Sequence, residues 1–304
     1  MGCLPYRQAA GEYSMQKTKA KKLRELMNAG TVVAPGVYDA LGARIAQNVG
    51  FEAVYMTGNG AMASLLGKPD MGLATMSEMV TRAHQLAACV EIPLICDADT
   101  GYGGLGNVKR TVEEFESAGI AGIHIEDQVC PKRCGALGGV QVVSLHDSLL
   151  RLDTALAARK DNDFLIIART DAKGVLGFDA AIERGKSYAA HGADAVMIEG
   201  MDSLDEIRRV VDSVDAPVLF NIYEHSGGNA FNVHELEQIG VKIIINCLTS
   251  TLYVSNILKT MMHEFKRTGT TAGFVDGMMP MDEYTHILGI EAEMELLQDN
   301  PSGT

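Results

Sequence analysis

The sequence predicts an α/β barrel of eight parallel strands, each followed by a helix. Short runs rich in apolar and β-branched residues recur along the chain, and a helix-like stretch follows each one. Within each run the apolar residues are continuous, which is typical of parallel strands covered on both faces. A chain of 304 residues with 47% hydrophobic content suits one such domain. The expected strands are 31–39, 52–58, 93–99, 122–127, 164–171, 195–200, 217–222 and 242–247.

The connections between these strands fit the same architecture. Several helical stretches end in a glycine just before the next strand, at Gly119, Gly192 and Gly240. Two connections, after the second and the fourth strand, are much longer than the others, and extra length at that end of a barrel is typical of binding loops. We expect residues 1–20 to be a flexible leader and residues 21–304 to form a single domain.

Two further helices are predicted after the last strand, at about 250–267 and 281–298, joined by a glycine-rich link. One of them completes the barrel, so the other is a C-terminal extension. A surplus amphipathic helix usually covers a neighbouring subunit or the bottom of the barrel. The sequence therefore indicates an oligomer.

Charge and cysteine content exclude several classes of function. A net charge of −13 argues against nucleic acid or an anionic membrane surface as partner. Six scattered cysteines form no CxxC pair, which favours a reducing cytoplasm. We expect neither a signal peptide nor a membrane span. Gly2 and Cys3 raise the question of lipidation, but Tyr6 stands where a myristoylation signal has Ser or Thr.

Acidic residues gather where the predicted strands end. DADTGYG places Asp97 and Asp99 at the end of the third strand, and IED places Glu126 and Asp127 at the end of the fourth. Carboxylates that converge there would repel one another unless a cation neutralised them, and an all-oxygen donor set favours Mg²⁺. The alternative is that these acids cap helices and form salt bridges.

Two residues near the acidic cluster are open to both a functional and a structural interpretation. Asp39 either belongs to the site or caps the first barrel helix. His124, two residues before Glu126, is either a metal ligand or a packed core histidine.

The long loop after the fourth strand contains the sequence KRCG. Lys132 and Arg133 precede Cys134, and neighbouring cations favour the thiolate form of a cysteine. A thiol in such a loop can exchange a proton with a carbanion-like intermediate. The alternative is a basic surface loop in which the cysteine is incidental.

The chain resembles the isocitrate lyase and phosphoenolpyruvate mutase superfamily over nearly its whole length. The KRCG loop is similar to the lyase branch, which comprises methylisocitrate lyase, dimethylmalate lyase and oxaloacetate hydrolases, because the mutase loop lacks the cysteine. The motifs that carry the resemblance are APGVYDALGARIA, YMTGNG, GKPDMG, DADTGYGG, HIEDQVCPKRCG, IARTDA and NIYEHSG.

The resemblance implies a barrel whose last helix is exchanged between subunits of a homotetramer, and it implies a set of site residues. Asp97 would bind Mg²⁺, or Mn²⁺ in its place, directly, with Asp70, Asp99 and Glu126 acting largely through water. Cys134 matches the catalytic cysteine and Arg169 the arginine that pairs with substrate. The remaining matches are substrate-binding positions: Thr57, Gly58, Asn59, Glu199 and Asn221.

The implied reaction cleaves the C2–C3 bond of a substituted malate or a methylisocitrate-like acid, releasing a 2-oxo acid such as pyruvate. Cys134 would protonate the leaving enolate, while Arg169, Lys132 and Arg133 offset its charge. Tyr55 is either the base that takes the hydroxyl proton or a tyrosine packed in the barrel.

Two departures from the lyase pattern leave other activities open. Position 136 is Ala136 where the lyases have histidine, and Cys247 stands at the end of the eighth strand, where the lyases have proline and the oxaloacetate hydrolases serine. The alternatives are an oxaloacetate hydrolase or decarboxylase, or a non-catalytic relative that binds metal and dicarboxylate.

Overall fold

A computed structural model describes residues 18–135, 137–223 and 231–299 of the chain. Its centre is a closed barrel of eight parallel strands in which each strand pairs with the next and the eighth pairs with the first. The predicted barrel is confirmed, and every expected strand contains an observed one. The strands are β1 Val32–Val37, β2 Val54–Met56, β3 Leu94–Asp97, β4 Gly122–Glu126, β5 Leu165–Thr170, β6 Ala195–Ile198, β7 Val218–Ile222 and β8 Ile243–Asn246.

Helices connect the strands and cover the outside of the barrel. Helix α1 precedes β1 and begins at Lys19, where the Thr18 side chain accepts a hydrogen bond from the Lys21 amide. Residues 1–17 of the predicted leader lie outside the described residues. The helices up to β8 are α1 Lys19–Ala29, α2 Ala40–Val49, α3 Gly58–Leu66, α4 Met76–Cys89, α5 Leu105–Ser117, α6 Leu145–Ala158, α7 Lys173–Leu176, α8 Phe178–Ala190, α9 Leu204–Ser213 and α10 Val233–Ile239.

Apolar side chains fill two separate layers, which is why the strands read as continuous apolar runs. One cluster occupies the barrel interior and includes Ile95, Ile167 and Ile245. The larger cluster lies between the strands and the helices and includes Phe115 and Phe164. Because successive strand residues point to opposite faces, both faces of every strand are buried.

The chain after β8 forms a long helix and three short elements, α11 Thr249–Thr268, a 3₁₀ helix Ala272–Gly277, α12 Met281–Ile287 and α13 Ile290–Asp299. The prediction of one helix over 281–298 was wrong in one respect, because Gly289 has a φ of 81° and divides it into α12 and α13. Helix α11 has no buried residue. Within the described ranges, no helix has the length and apolar content needed to cross a membrane.

Candidate active site

Most of the predicted site residues line one cavity at the carboxyl ends of the strands. The backbone of Gly135 lies against two residues of this cavity, because a Cβ built on it would lie 3.2 Å from Nη2 of Arg169 and 3.1 Å from Cγ of Glu199. The cavity volume is about 30 Å³, room for roughly two water molecules. The predicted residues around it are Tyr55, Thr57, Gly58, Asn59, Asp70, Asp97, Lys132, Cys134, Arg169, Glu199 and Asn221.

Lys132 extends from the loop into the acidic cluster and is 4% exposed. Its Nζ lies 2.8 Å from Oδ1 of Asp70 and 2.5 Å from Oδ1 of Asp99. Burial alone would lower the pKa of Lys132, but Asp99 and the other nearby carboxylates raise it well above its ordinary value. The Lys132 ammonium therefore neutralises part of the acidic cluster, a role that the sequence had not predicted.

Asp97, at the end of β3, lines the cavity. Its Oδ1 accepts a hydrogen bond of 2.9 Å from the Asp99 amide. Burial opposes ionisation of Asp97, but His124, Lys132 and Arg169 lower its pKa to about 2. Burial in turn lowers the pKa of His124 to about 4, so near pH 7 the charges that keep Asp97 ionised are those of Lys132 and Arg169.

The turn that follows β3 has an unusual backbone. Asp99 and Tyr102 have φ values of 49° and 59°, in the left-handed region that few residues other than glycine adopt. Gly101 and Gly103 also have positive φ values. The DADTGYG sequence thus forms a tight, strained turn that keeps two carboxylates next to the cavity.

For Asp99 and Glu126, the nearby positive charges do not offset the cost of burying a carboxylate. Burial raises the pKa of Asp99 to about 7 despite the nearby Lys132, and it raises the pKa of Glu126 well above its usual range. Oε1 of Glu126 is buried without a hydrogen-bond partner. Buried carboxylates of this kind are stabilised by an additional cation.

The donor set fits a Mg²⁺ ion held by few direct protein ligands. In the part of the chain that the structure describes, no three His, Cys, Asp or Glu side chains are already arranged as a metal-ligand set. Mg²⁺ commonly takes one or two carboxylates and completes its shell with water and substrate oxygens. One direct ligand, Asp97, with the other acids acting through water is compatible with this geometry.

Arg169, at the end of β5, carries the second buried positive charge. Its Nε and Nη2 donate hydrogen bonds of 3.0 and 2.9 Å to the two carboxylate oxygens of Asp171. Nε also lies 3.3 Å from Oε2 of Glu126. These acids raise the pKa of Arg169 well above its ordinary value, although burial opposes this, so the guanidinium is a fixed positive group in the cavity wall.

Tyr55 and His124 pack together inside the barrel. The Tyr55 hydroxyl and Nε2 of His124 are 2.8 Å apart, and the two rings are stacked with centroids 5.7 Å apart. Burial raises the pKa of Tyr55 well above its usual value, which favours the protonated hydroxyl over the phenolate that would accept a proton. For both residues this environment favours the packed-core alternative.

Cys134 lies at the edge of the cavity and is partly exposed. Its amide donates a 3.0 Å hydrogen bond to the carbonyl oxygen of Asp70, which joins the two long loops. The Asn59 side-chain amide donates to the sulfur at 3.7 Å. The departure at Ala136 lies outside the described residues.

Arg133 and Asp39 do not reach the cavity. The Arg133 side chain is exposed and donates a 3.3 Å hydrogen bond to the Gly138 carbonyl, so this geometry does not support its predicted role beside the leaving fragment. Asp39 accepts a 2.8 Å hydrogen bond from the Gly42 amide, which confirms that it caps helix α2.

Some residues that shape the site carried no functional signal in the sequence. Met197 and Leu248 line the cavity, but in the sequence they look like ordinary apolar residues. Gln128 fixes the loop backbone with two hydrogen bonds of 2.9 Å to the Arg133 amide and carbonyl. Cys247, in contrast, was noted in the sequence as a departure from the lyase pattern; it lines the cavity, and Asn221 donates to its sulfur at 3.3 Å.

The chain is similar to enzymes that act on small 2-hydroxy or 2-oxo acids. The family described as phosphoenolpyruvate phosphomutase matches residues 23–267. The 2,3-dimethylmalate lyase of Eubacterium barkeri is 40% identical over 285 residues, covering 93% of this chain and 99% of that protein.

Two solved structures are similar along almost their full length. Oxaloacetate acetylhydrolase in complex with the inhibitor 3,3-difluorooxalacetate matches with a TM-score of 0.88 and 36% identity, covering 93% of this chain and 97% of that one. A phosphonopyruvate hydrolase complex with oxalate and Mg²⁺ matches with a TM-score of 0.83 and 27% identity, covering 93% and 99%.

Proposed function

The chain belongs to the phosphoenolpyruvate mutase and isocitrate lyase superfamily, and we propose that it cleaves the C2–C3 bond of a substituted malate or methylisocitrate-like acid. The products are a 2-oxo acid such as pyruvate and a second carboxylic acid. The observation that carries this proposal is the convergence of Asp97, Arg169 and Cys134 on one cavity at the carboxyl ends of the strands. These residues provide a cation site, a fixed positive charge and a proton donor.

Asp97 would hold Mg²⁺, or Mn²⁺ in its place, with Asp70, Asp99 and Glu126 acting through bound water. The buried, under-compensated oxygens of this cluster support the assignment. The similar phosphonopyruvate hydrolase was solved with oxalate and Mg²⁺. When bound, the ion supplies Lewis-acid polarisation of the substrate carboxylate and 2-oxygen.

The substrate carboxylates have two positively polarised partners. Gly58 and Asn59 begin helix α3, and the amides at the start of a helix favour anions. The guanidinium of Arg169 faces the same cavity. Glu199 and Asn221 form a polar wall, in which the Asn221 amide donates to Glu199 at 3.5 Å.

The proton balance of the reaction assigns a role to Cys134. A base removes the 2-hydroxyl proton, the C2–C3 bond breaks, and its electron pair passes to the departing fragment as an enolate. The Cys134 thiol protonates that carbon, while Arg169 and Lys132 offset the negative charge.

A second candidate function is hydrolysis or decarboxylation of oxaloacetate. The observation that favours it is Cys247, whose pKa is raised to about 12 by burial. This protonated thiol is a hydrogen-bond donor in the cavity wall, as the serine of oxaloacetate hydrolases would be. A non-catalytic role fits less well, because buried, incompletely paired charges destabilise a protein that does not use them.

We propose further that the protein is a cytoplasmic homotetramer without nucleic-acid or membrane partners, and that its C-terminal helices are exchanged between subunits. Helix α11 exposes a broad apolar surface, which supports a subunit contact. The residues on that surface include Leu252, Tyr253, Ile257, Met262 and Phe265. The five cysteines that the structure describes form no disulfide, in keeping with a reducing compartment.

The test is a product assay with 2,3-dimethylmalate, 2-methylisocitrate, isocitrate, citramalate and oxaloacetate in Mg²⁺, with EDTA as the control. Release of pyruvate or glyoxylate from a hydroxy acid, abolished by EDTA, is the expected result. Oxalate formation from oxaloacetate alone would replace the lyase with the hydrolase, whereas pyruvate from oxaloacetate alone would indicate the decarboxylase. No turnover of any of the five acids would overturn both functions.

A further inference from the structure

Asp127, directly after the acidic cluster, is the centre of a buried hydrogen-bond network outside the cavity. It is 1% exposed, and both of its carboxylate oxygens accept hydrogen bonds. Oδ2 accepts from Thr170 Oγ1 at 2.6 Å, from Arg184 Nη1 at 2.8 Å and from the Tyr188 hydroxyl at 2.9 Å. Oδ1 accepts from the Asp171 amide at 3.0 Å. A carboxylate with four donors is fully satisfied.

One side of this network fixes both ends of the loop that carries Cys134. The Asp127 carbonyl accepts a 2.9 Å hydrogen bond from the Val143 amide, and Arg184 Nη2 donates to the Val143 carbonyl at 2.7 Å. An antiparallel bridge between Gln128 and Val142 lies just inside these contacts. The two ends of the loop 128–142 are therefore held next to each other by these hydrogen bonds.

The other side of the network fixes the end of β5. The Asp127 carboxylate binds the Thr170 hydroxyl and the Asp171 amide, which immediately follow Arg169. Asp171 in turn accepts two hydrogen bonds from the guanidinium of Arg169. A shift of the Asp171 backbone would therefore move the charge that faces the cavity.

We propose that Asp127 is a positioning residue that holds the base of the Cys134 loop and the Arg169–Asp171 pair in a single frame. This inference rests on the proposed function, in which Cys134 and Arg169 act on the same substrate. Without the frame, the proton donor and the guanidinium would move independently. A misplacement of about 1 Å far from the reacting atoms is enough to lower a rate roughly 100-fold.

The substitution Asp127→Asn keeps the shape but not the bonding pattern. An amide nitrogen is a donor, and every partner of Asp127 in the network is already donating to it. Whichever oxygen is replaced, the new NH₂ group faces either the Asp171 amide or the Arg184 guanidinium, and neither can accept a hydrogen bond. The matched control is Tyr188→Phe, which removes one donor but leaves the hydrogen bonds of the network to Thr170, Asp171 and Val143 in place.

The experiment measures alkylation of Cys134 by iodoacetamide, with added glutathione in the same solution as the reference thiol. In Asp127→Asn, the Cys134 rate relative to glutathione rises roughly tenfold, the change expected when a charge-assisted hydrogen bond is lost. In Tyr188→Phe it changes less than about threefold. This readout needs neither metal nor turnover, so it decides the role of Asp127 even if wild-type protein cleaves no dicarboxylate.

Steady-state kinetics distinguishes positioning from a purely structural effect. Displacement of Arg169 raises KM about tenfold or more and lowers kcat as well, because the arginine binds and stabilises the same substrate. A loss of folded protein alone lowers the apparent kcat and leaves KM unchanged. Wild-type KM together with a wild-type alkylation ratio would overturn the proposal. If the Asp127→Asn protein is not recovered folded, Arg184→Lys, which cannot bind Asp127 and Val143 together, is tested by the same two readouts.

Discussion

Replacing Gly58 with alanine is expected to disable the site while leaving the barrel folded. Gly58 is the first residue of α3, and its Cα faces the carboxylate of Asp97. An ideal Cβ at this position would lie 2.4 Å from Oδ2 and 3.0 Å from Cγ of Asp97. Because a relaxed contact of this kind is about 3.5 Å, the carboxylate must move by roughly 1 Å.

The expected magnitudes follow from that displacement. A shift of about 1 Å in a metal-binding carboxylate lowers kcat/KM roughly 100-fold and weakens binding of Mg²⁺. Overpacking costs about 1–3 kcal/mol of unfolding free energy, and the removal of a helical glycine returns about 0.5–1 kcal/mol. The net loss of stability is therefore about 2.5 kcal/mol or less, too small to unfold a typical domain.

The assay compares kcat/KM across a Mg²⁺ titration and the urea midpoint of the wild type, Gly58→Ala and Gly106→Ala. Gly106 lies in the first turn of α5 with no atom within 4 Å of an added Cβ, so it is a matched control that should behave as wild type. Wild-type Mg²⁺ dependence and turnover in Gly58→Ala would refute the assignment of Asp97 as the metal ligand.

Three further predictions follow from the same site. Cys134→Ser, which replaces the thiol with a weaker acid, lowers kcat about 10²- to 10⁴-fold with little change in oxalate affinity by calorimetry, and a wild-type kcat would exclude the thiol as proton donor. Lys132→Met removes the cation that Asp70 and Asp99 share. Urea unfolding in EDTA therefore shows a loss of about 3 kcal/mol in unfolding free energy, and Mg²⁺ reduces this loss. An equal loss in EDTA and in Mg²⁺ would argue against a cation site. Because burial raises the pKa of Cys247 to about 12, above its ordinary value near 9, the native state holds the thiol proton more tightly. The contribution of Cys247 to the unfolding free energy is therefore retained below about pH 9 and lost as the pH rises toward 12, by about 1 kcal/mol per pH unit. In urea titrations from pH 8 to 10.5, Cys247→Ala removes that part of the dependence of the unfolding free energy on pH.

The sequence was most informative about the barrel and about which residues meet at its mouth. Continuous apolar strands separated by helices determine a parallel closed sheet, and the strand ends then bring distant residues such as Thr57, Asp97 and Arg169 together. The comparisons confirm the superfamily that the motifs indicated. The barrel follows from the periodicity that one sequence displays directly, whereas the superfamily followed from the resemblance of its motifs to a known family.

The directions of side chains in the loops could not be predicted from the amino-acid sequence. Lys132 and Arg133 are adjacent and chemically alike, yet one is buried among carboxylates and the other is exposed. Only the path of the loop backbone, fixed by Gln128 and by the contact between Cys134 and Asp70, decides which of them turns inward. The sequence contains no local signal for that choice.

The C-terminal region shows a similar limit. Residues 281–298 carry a helical pattern throughout. The break at Gly289 coincides with a tertiary contact, because Arg44 of α2 packs beside that glycine and donates to the Ile287 carbonyl at 3.4 Å. A glycine within an apolar helical pattern is compatible with either a continuous or a broken helix.

The most direct test of carbon–carbon cleavage is NMR analysis of the products formed from 2,3-dimethylmalate in D₂O with Mg²⁺. We expect pyruvate and propionate in equal amounts, with one deuterium at C2 of the propionate delivered by the exchanged thiol of Cys134, and no products in EDTA. Unchanged 2,3-dimethylmalate alongside rapid turnover of oxaloacetate, or cleavage that proceeds equally well in EDTA, would contradict it.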